Sequence, residues 1–380
     1  MGYYAQTQLF GPVMERYGLD ESAVGLMMSK EIMAYALTAL LLAGPVTRFP
    51  RAKIALLGAA VVFVSNIIAG SADNFEVLGI ARLAAGFGAG MIGAAGTAAA
   101  ASSINPQRAF AIVSVSWGVV ATIPPILIPY ATVPFGAMGG YYGLAAAVLL
   151  VSPLFFWLPD PPRVQADAEQ KSKLASLSPL QRIAEHLGVR GAPNKGFAIA
   201  ALIALFIFEI GQGAIQVFLE QFGLRAGLGE IRIGEILGVA AFIGLSGGVV
   251  AAWMANRFGN LRPALIGIAL NVIVAASLAM WTTPIAFAVL YVCWNASFYF
   301  VVPYILGIMS EMDRTGRWAV ASDAVWWMGA APGPAIGGYV VASAGYPGLA
   351  GLTVSVGVVA MIIFWVTLGR FYATRLRNGE

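Results

Sequence analysis

The sequence is poor in the side chains that most enzymes and metal sites use. It holds one cysteine, Cys293, and one histidine, His186, among 380 residues. A single cysteine forms no disulfide within the chain, and one histidine in a polar stretch excludes a histidine metal centre. No G-x-x-x-x-G-K-S/T loop for binding nucleotide phosphates occurs. We therefore expect neither an enzyme nor an ATP-driven machine, and we expect no cofactor.

Charge is also scarce. Charged residues make up 11% of the chain and hydrophobic residues 59%, with a mean hydropathy of +0.80. Soluble domains carry about 25% charged residues, so this composition predicts a chain that lies in lipid. The net charge of +4 is small, and the basic residues gather in particular loops. We take this pattern as a signal of membrane orientation and expect no nucleic-acid partner.

Long apolar stretches fill most of the chain. Because a crossing needs about 20 apolar residues, the pattern predicts twelve transmembrane helices with both termini on one side. Most of the 22 Lys and Arg residues fall in loops on that side, whereas only Arg16, Arg225 and Arg232 lie in the opposite loops. The positive-inside rule then predicts an inner (plasma) membrane protein with cytoplasmic termini.

One polar segment divides the chain. We predict an N-terminal six-helix bundle over 1–158, a cytoplasmic linker over 159–195 and a C-terminal six-helix bundle over 196–380. Within the linker, "SPLQRIAEHLG" (178–188) has a serine cap, a proline at the first helical position and a final glycine. These signals favour a short amphipathic helix, with a disordered linker as the alternative.

The two halves are related by a constant shift of 209 residues. This shift places "RYGLDESAVG" (16–25) on "RAGLGEIRIG" (225–234) and Pro125 on Pro334. The architecture is therefore expected to be an all-α membrane protein of two pseudo-symmetric bundles, as in many transporters. The seventh span begins so early that its counterpart would start before Met1. We thus expect the first helix to be truncated and the native chain to start upstream.

Three motifs carry a family resemblance. "GPVTRFPRAK" (44–53) is similar to the loop G-x-x-x-D-R-x-G-R-R/K, although Thr47 replaces the aspartate, and Asn256 takes that place in the second half. "RLAAGFGAG" (82–90) follows R-x-x-x-G-x-G, and "GAAPGPAIGG" (329–338) follows G-x-x-x-G-P-x-x-G-G. With these motifs the whole chain resembles the major facilitator superfamily.

The resemblance implies a monomeric secondary transporter that works by alternating access, with spans 1 (2–17), 4 (75–102), 7 (196–222) and 10 (284–309) around a central cavity; spans 5 and 11 are predicted over 108–132 and 316–343. The resemblance also implies gating roles for residues of the loops and of the glycine motif: Arg48, Arg51, Arg257, Gly329, Gly333, Pro334 and Gly337. In antiporters of the family the glycine motif lies in span 5, whereas here it lies in span 11. Small residues at i, i+4 spacing allow close helix packing in membranes. A static packing role for these glycines is the alternative.

Ionisable groups at membrane depth are costly and often functional. The proton-coupling candidates are Glu209, Asp323, Glu31 and Arg82. Glu209 lies near the middle of span 7, and a desolvated carboxyl group there can hold a proton near neutral pH. A structural, hydrogen-bonded Glu209 is the alternative. Glu31 and Arg82 have matching depths and are expected to pair, either to tune protonation or anion binding or as a structural ion pair.

Polar and aromatic residues of the cavity-lining spans are the substrate-binding candidates. Span 7 has a polar stripe that continues Glu209, span 10 is rich in aromatic rings, and span 1 begins with polar residues. Aromatic walls with few polar groups suit an amphipathic or ring-containing solute. The candidates are Tyr3, Tyr4, Thr7, Gln8, Arg82, Gln212, Gln216, Tyr291, Trp294, Asn295, Phe298 and Trp326.

The leading hypothesis is a proton-coupled secondary transporter of a small organic solute. One alternative is a proton antiporter that exports drugs or metabolites. The other is a non-transporting sensor or assembly factor of the same fold, which the missing aspartates at positions 47 and 256 favour.

Overall fold

The computed structural model describes residues 2–42, 45–47, 49–102, 106–159, 194–254, 257–312 and 317–377. These residues form α-helices joined by short turns and two 3₁₀ segments, Pro45–Thr47 and Ser152–Trp157. In chain order the helices are α1 (Gly2–Tyr17), α2 (Glu21–Leu42), α3 (Arg51–Ser71), α4 (Phe75–Ala101), α5 (Pro106–Val151), α6 (Lys195–Val217), α7 (Leu219–Arg225), α8 (Glu230–Gly244), α9 (Ser246–Met254), α10 (Leu261–Met280), α11 (Pro284–Met312), α12 (Arg317–Ala330) and α13 (Gly333–Arg377).

Two glycines split the longest helices. Gly136 in α5 has φ 58° and Gly345 in α13 has φ 67°, a backbone region that side chains with a Cβ rarely adopt. These glycines are 209 residues apart and turn the chain where the sequence predicts a loop between two spans. The predicted loops are thus only sharp kinks: α5 continues through Gly136 from one crossing to the next, and in α13 Gly345 separates the last crossing from the preceding one, which begins in α12.

The length and surface of the helices fit a bilayer. Within the described ranges, nine helical stretches are long and apolar enough to cross a membrane, and two of them, of 38 and 51 residues, are long enough to cross twice. With the shorter α1 this agrees with the predicted twelve crossings. Large apolar side chains such as Leu150, Ile285 and Ile80 point outward, at 80%, 79% and 69% exposure. The protein is a multi-pass membrane protein.

The repeat is visible in the contacts. A guanidinium N–H of Arg16 donates to the Gly70 carbonyl at 3.0 Å, and one of Arg225 donates to the Ala279 carbonyl at 2.9 Å. Donors and acceptors are both 209 residues apart, so one contact occurs once in each bundle. The predicted pair of pseudo-symmetric bundles is confirmed. We call the end of the molecule that carries Arg16 and Arg225 the outer end, because the sequence predicts that it faces away from the cytoplasm.

The predicted linker lies almost entirely outside the residues that the structure describes. Residues 160–193 lie outside the described residues, so the short helix at 178–188 and the domain boundaries at 158 and 196 stay predictions.

Candidate transport site

The two bundles meet through α1 and α6. Thr7 Oγ1 donates to the backbone carbonyl of Gln216 at 3.0 Å, and Gln216 Nε2 donates back to Thr7 Oγ1 at 3.2 Å. The two residues are repeat partners, so they meet on the axis that relates the bundles. Next to them, Gln8 Nε2 donates to the Pro125 carbonyl at 3.1 Å. Tyr3 and Tyr4 lie on α1, but their side chains are outside the described part of the chain.

Glu209 lies on α6 in the interior of the protein. Glu209 is only 1% exposed. Its Oε1 atom has no hydrogen-bond partner among the described residues. The backbone of α12 passes directly beside Glu209 at Gly329. A Cβ atom added at Gly329 would lie 2.8 Å from the Glu209 Cβ and 2.7 Å from the Phe206 carbonyl oxygen. A larger residue at position 329 would therefore push α12 away from Glu209.

The rest of the glycine strip continues this close approach. A Cβ at Gly333 would lie 2.6 Å from the Ala214 nitrogen, and one at Gly337 would lie 3.1 Å from the Ala214 Cβ. Span 11 thus packs backbone to backbone on span 7, as the small-residue spacing predicts. The helix breaks between Ala330 and Gly333, next to Pro332 and Pro334. Pro334 is buried, and its carbonyl faces Gly25 of α2 in the other bundle.

The polar stripe of α6 serves several neighbours. Gln212 Nε2 donates to Asn271 Oδ1 of α10 at 2.7 Å, whereas Gln216 contacts α1. Asn271 Nδ2 in turn donates to Ser297 Oγ at 3.0 Å and to the Trp294 carbonyl at 3.2 Å. Gln212 Oε1 and Trp294 Nε1 are buried atoms for which the described residues provide no partner. This polar cluster therefore has spare donor and acceptor atoms.

Asn271 was missed from the sequence because uncharged polar side chains were considered only in spans 1, 7 and 10, and Asn271 lies on α10, which is the ninth span. A lone amide inside an apolar stretch was the available signal. The same search missed Asn66, which lies in the other bundle.

Glu31, Arg82 and Asn66 form a buried cluster in the N-terminal bundle. Arg82 Nε donates to Glu31 Oε2 at 3.0 Å, and Arg82 Nη2 donates to Glu31 Oε1. Arg82 Nη1 donates to Asn66 Oδ1 at 2.7 Å, and the guanidinium lies 5.1 Å from the centre of the Tyr141 ring. The predicted pairing of Glu31 with Arg82 is confirmed. Because the pair is bidentate and buried, its two charges offset each other inside the protein.

Half-buried aromatic rings lie near the middle of the molecule. The Phe298 and Trp326 rings are 4.9 Å apart between centroids, and Tyr35 of α2 and Trp327 of α12 are also 4.9 Å apart. The second pair joins the two bundles. All four side chains are partly exposed in the chain, so they can border a space between the bundles.

The other predicted aromatic residues of α11 lie deeper. Tyr291 and Trp294 are buried, with ring centroids 5.9 Å apart. Asn295 Nδ2 donates to the Tyr291 carbonyl at 3.0 Å, so this amide is engaged within its own helix.

Two of the predicted gate arginines are described by the structure, and their surroundings differ. Arg51 is buried and donates to Ser102 Oγ at 2.6 Å and to the Pro159 carbonyl at 3.4 Å. Arg257 is exposed and lies 4.5 Å above the Trp253 ring. Arg48 lies outside the described residues, and Asp323 has a helical backbone in α12 but a side chain that is not described.

Two pseudo-symmetric helical bundles with buried polar groups are an architecture typical of membrane transporters. The sequence comparison agrees, since the family model of the Major Facilitator Superfamily matches residues 1–322. The chain belongs to this superfamily of secondary transporters. No curated protein matches the sequence.

Solved structures with the same fold are distant in sequence. A bacterial homologue of the human lysosomal transporter Spinster, inward-facing and unoccupied, has a TM-score of 0.72 at 15% identity, over 96% of this chain and 93% of that one. A D-xylose–proton symporter has 0.70 at 16%, over 96% and 94%. The nucleoside transporter NupG has 0.71 at 13%, over 97% and 98%. At these identities the likeness concerns the fold alone.

Proposed function

We propose that this protein couples the movement of a small organic solute to the movement of protons, as a monomer in the inner (plasma) membrane with both termini cytoplasmic. The observation that carries the proposal is Glu209, a fully buried carboxyl group beside the close contact of α6 and α12. Proton coupling needs a group that changes charge as the transporter changes shape. A movement of α12 relative to α6 would change the surroundings of the Glu209 carboxyl group.

The surroundings of Glu209 explain how it would act. A buried carboxylate without a counter-ion is costly, whereas the uncharged acid is tolerated. Arg82, a buried cation of the other bundle, already binds Glu31. When α12 moves along α6 and water reaches position 209, ionisation becomes favourable and the proton leaves. Proton binding and release at Glu209 would therefore follow the alternation of the bundles.

The aromatic rings suggest the solute. Phe298, Trp326, Tyr35 and Trp327 are half-buried near the seam between the bundles, and such walls hold ring-containing or amphipathic molecules. The amide cluster of Gln212 and Asn271 has a spare acceptor that could orient one polar group. Distant structural relatives are described as transporters of D-xylose, nucleosides and peptides, so these three classes belong in a first screen with organic acids and aromatic cations.

The test combines a binding screen with transport in proteoliposomes. A thermal-shift screen of the detergent-purified protein identifies a ligand, since saturation at about 100 times Kd adds about 2.7 kcal/mol of stability. The radiolabelled hit is then followed in proteoliposomes, both as accumulation driven by a pH gradient and as exchange without a gradient. We expect Glu209→Gln to lose accumulation and keep exchange, while Glu76→Gln, an exposed acid of α4, keeps both. Normal accumulation by Glu209→Gln would refute the coupling role.

The same assay separates the alternatives. When the outside of the proteoliposomes is made more acidic than the inside, a symporter accumulates the solute in the lumen, whereas an antiporter expels it from the lumen. A non-transporting sensor or assembly factor shows neither accumulation nor exchange and instead co-purifies with a membrane partner.

A further inference from the structure

The outer end of the seam holds two acidic side chains that the proposed transport mechanism does not use. Glu220 lies on α7, just beyond the crossing helix α6, and is 1% exposed. Within the described residues neither of its carboxyl oxygens has a hydrogen-bond partner. Glu230 begins α8, and its Oε2 atom is also buried without a described partner. For Glu220, which is buried with both oxygens unpartnered among the described residues, ionisation in place is costly.

Glu220 lies where the two bundles touch. A Cβ atom at Gly11 of α1 would lie 3.8 Å from Glu220 Oε2 and 2.8 Å from Gln221 Nε2. The bond between Thr7 and Gln216 lies about one helical turn further along the same helices. Leu219 and Phe222, which lie close to it on α7, are buried in the apolar core. Separation of α1 from α7 would therefore open a path for water to Glu220.

The other ionisable groups nearby have partners of their own. Arg16 and Tyr17 of α1 both donate to the Ala72 carbonyl. Arg232 of α8 pairs with Glu235 at 2.8 Å. Arg225 donates to the Ala279 carbonyl and lies over the Tyr346 ring. Tyr291 is hydrogen-bonded to Asn295. Glu15 of α1 is exposed to solvent.

We propose that Glu220, with Glu230 beside it, is a proton-binding site that keeps the outer seam closed while it holds a proton and favours opening when it is ionised. This site is separate from Glu209 and does not depend on the solute being moved with protons. It would make the outer opening of the protein sensitive to the pH on that side of the membrane.

The chemistry is a single ionisation. The Glu220 carboxylic acid gives its proton to water that enters the opened seam and becomes a hydrated carboxylate. In the closed seam the carboxylate would be buried next to Glu230, and like charges at short range raise the free energy of the ionised form. In agreement with this geometry, burial and the Glu230 charge raise the pKa of the Glu220 carboxyl to about 8.

The test measures the separation of the bundles directly. After Cys293→Ser removes the one native cysteine, spin labels are attached at Asp73→Cys and Thr282→Cys. These positions are exposed repeat partners, each in a loop at the outer end. Pulsed electron paramagnetic resonance in lipid nanodiscs then gives the label distances as a function of pH, without any substrate. We expect a long-distance population that grows as the pH rises through the window between 4.5, the ordinary pKa of the carboxyl group, and about 8, because the closed seam holds the proton more tightly than the open one.

The variants decide the cause. We expect Glu220→Gln to keep the short distance at every pH, and Glu230→Gln to show a smaller long-distance population at high pH, because the closed seam loses one repulsive charge. Glu235→Gln, an acid of α8 already paired with Arg232, serves as the matched control and should follow the wild type. If Glu220→Gln purifies poorly, the smaller response of Glu230→Gln tests the proposal.

Three results would overturn the proposal. The first is a pH response that survives Glu220→Gln, the second is no response in the wild type between about pH 5 and about pH 9, and the third is a distance change that follows sodium at constant pH. None of these results depends on Glu209. A failure of proton-coupled transport would leave the distance measurement intact, so the two proposals can fail separately.

Discussion

Gly25 of α2 lies so close to the carbonyl oxygen of Pro334 that no Cβ atom fits between them, and Gly234 of α8 stands in the same relation to Pro125 of α5. The glycines are 209 residues apart, and so are the prolines. The same backbone contact therefore holds the two bundles together twice, once on each side of the pseudo-symmetry axis. Both contacts lie toward the outer end. They describe how the bundles fit when that end is closed.

Substituting either glycine should open the outer end. We expect Gly25→Val and Gly234→Val to destabilise the closed arrangement by about 1–3 kcal/mol, as for overpacking in a filled interior. The labels at positions 73 and 282 should then report more of the longer distance. Gly79→Ala is the control, because a Cβ there meets nothing within 4 Å. An unchanged distance distribution in Gly25→Val would show that this contact does not hold the bundles together.

Breaking the Glu31–Arg82 pair should be more harmful than removing it. Arg82→Leu leaves Glu31 as a buried charge without its partner, which costs about 3–5 kcal/mol. The double variant Glu31→Leu with Arg82→Leu should recover most of that loss in thermal unfolding. If the double variant is stable but inactive in transport, the pair has a role in the mechanism. If it is stable and active, the pair is structural. Equal instability of the single and double variants would contradict the assignment.

Asn271 should contribute to stability through its partners. In Asn271→Leu, Gln212 Nε2 and Ser297 Oγ lose a hydrogen-bond partner inside the protein, at a cost of about 1–3 kcal/mol. Thermal unfolding of the purified variant measures this loss. Replacing Gln212 by leucine in the same background should recover part of it, since the unpaired amide is then gone. Asn295→Leu, whose amide bonds only within its own helix, should lose less than Asn271→Leu.

Glu220 predicts a pH dependence of stability. Its pKa is raised from 4.5 to about 8 in the folded protein, so between these values the folded protein binds more protons than the unfolded chain. Stability should therefore fall as the pH rises through this window. Tm values measured across the window should fall in the wild type and fall less in Glu220→Gln. A wild-type Tm that rises with pH over this range, with the rise absent from Glu220→Gln, would contradict the assignment.

The sequence determined the class of the protein, because bilayer thickness and the cost of unpaired backbone groups leave few structures for such an apolar chain. The repeat, the twelve crossings and the ion pair of Glu31 with Arg82 all follow from residue spacing and depth. Close packing at Gly329 and Gly333 also follows, since small residues at i, i+4 allow helices to touch, but that the neighbour is α6 is known only from the structure.

Only the tertiary structure decided which polar residues meet. Gln212 and Gln216 share a stripe in sequence, yet one bonds to Asn271 and the other to Thr7, because neighbouring helices approach α6 from different directions. Likewise, nothing in the sequence around Glu220 predicts that this side chain is buried. Its carboxyl group is buried by the packing of α1 and the apolar core against α7. Periodicity fixes which face of a helix a side chain occupies, but the partner on that face is set by the packing of distant segments.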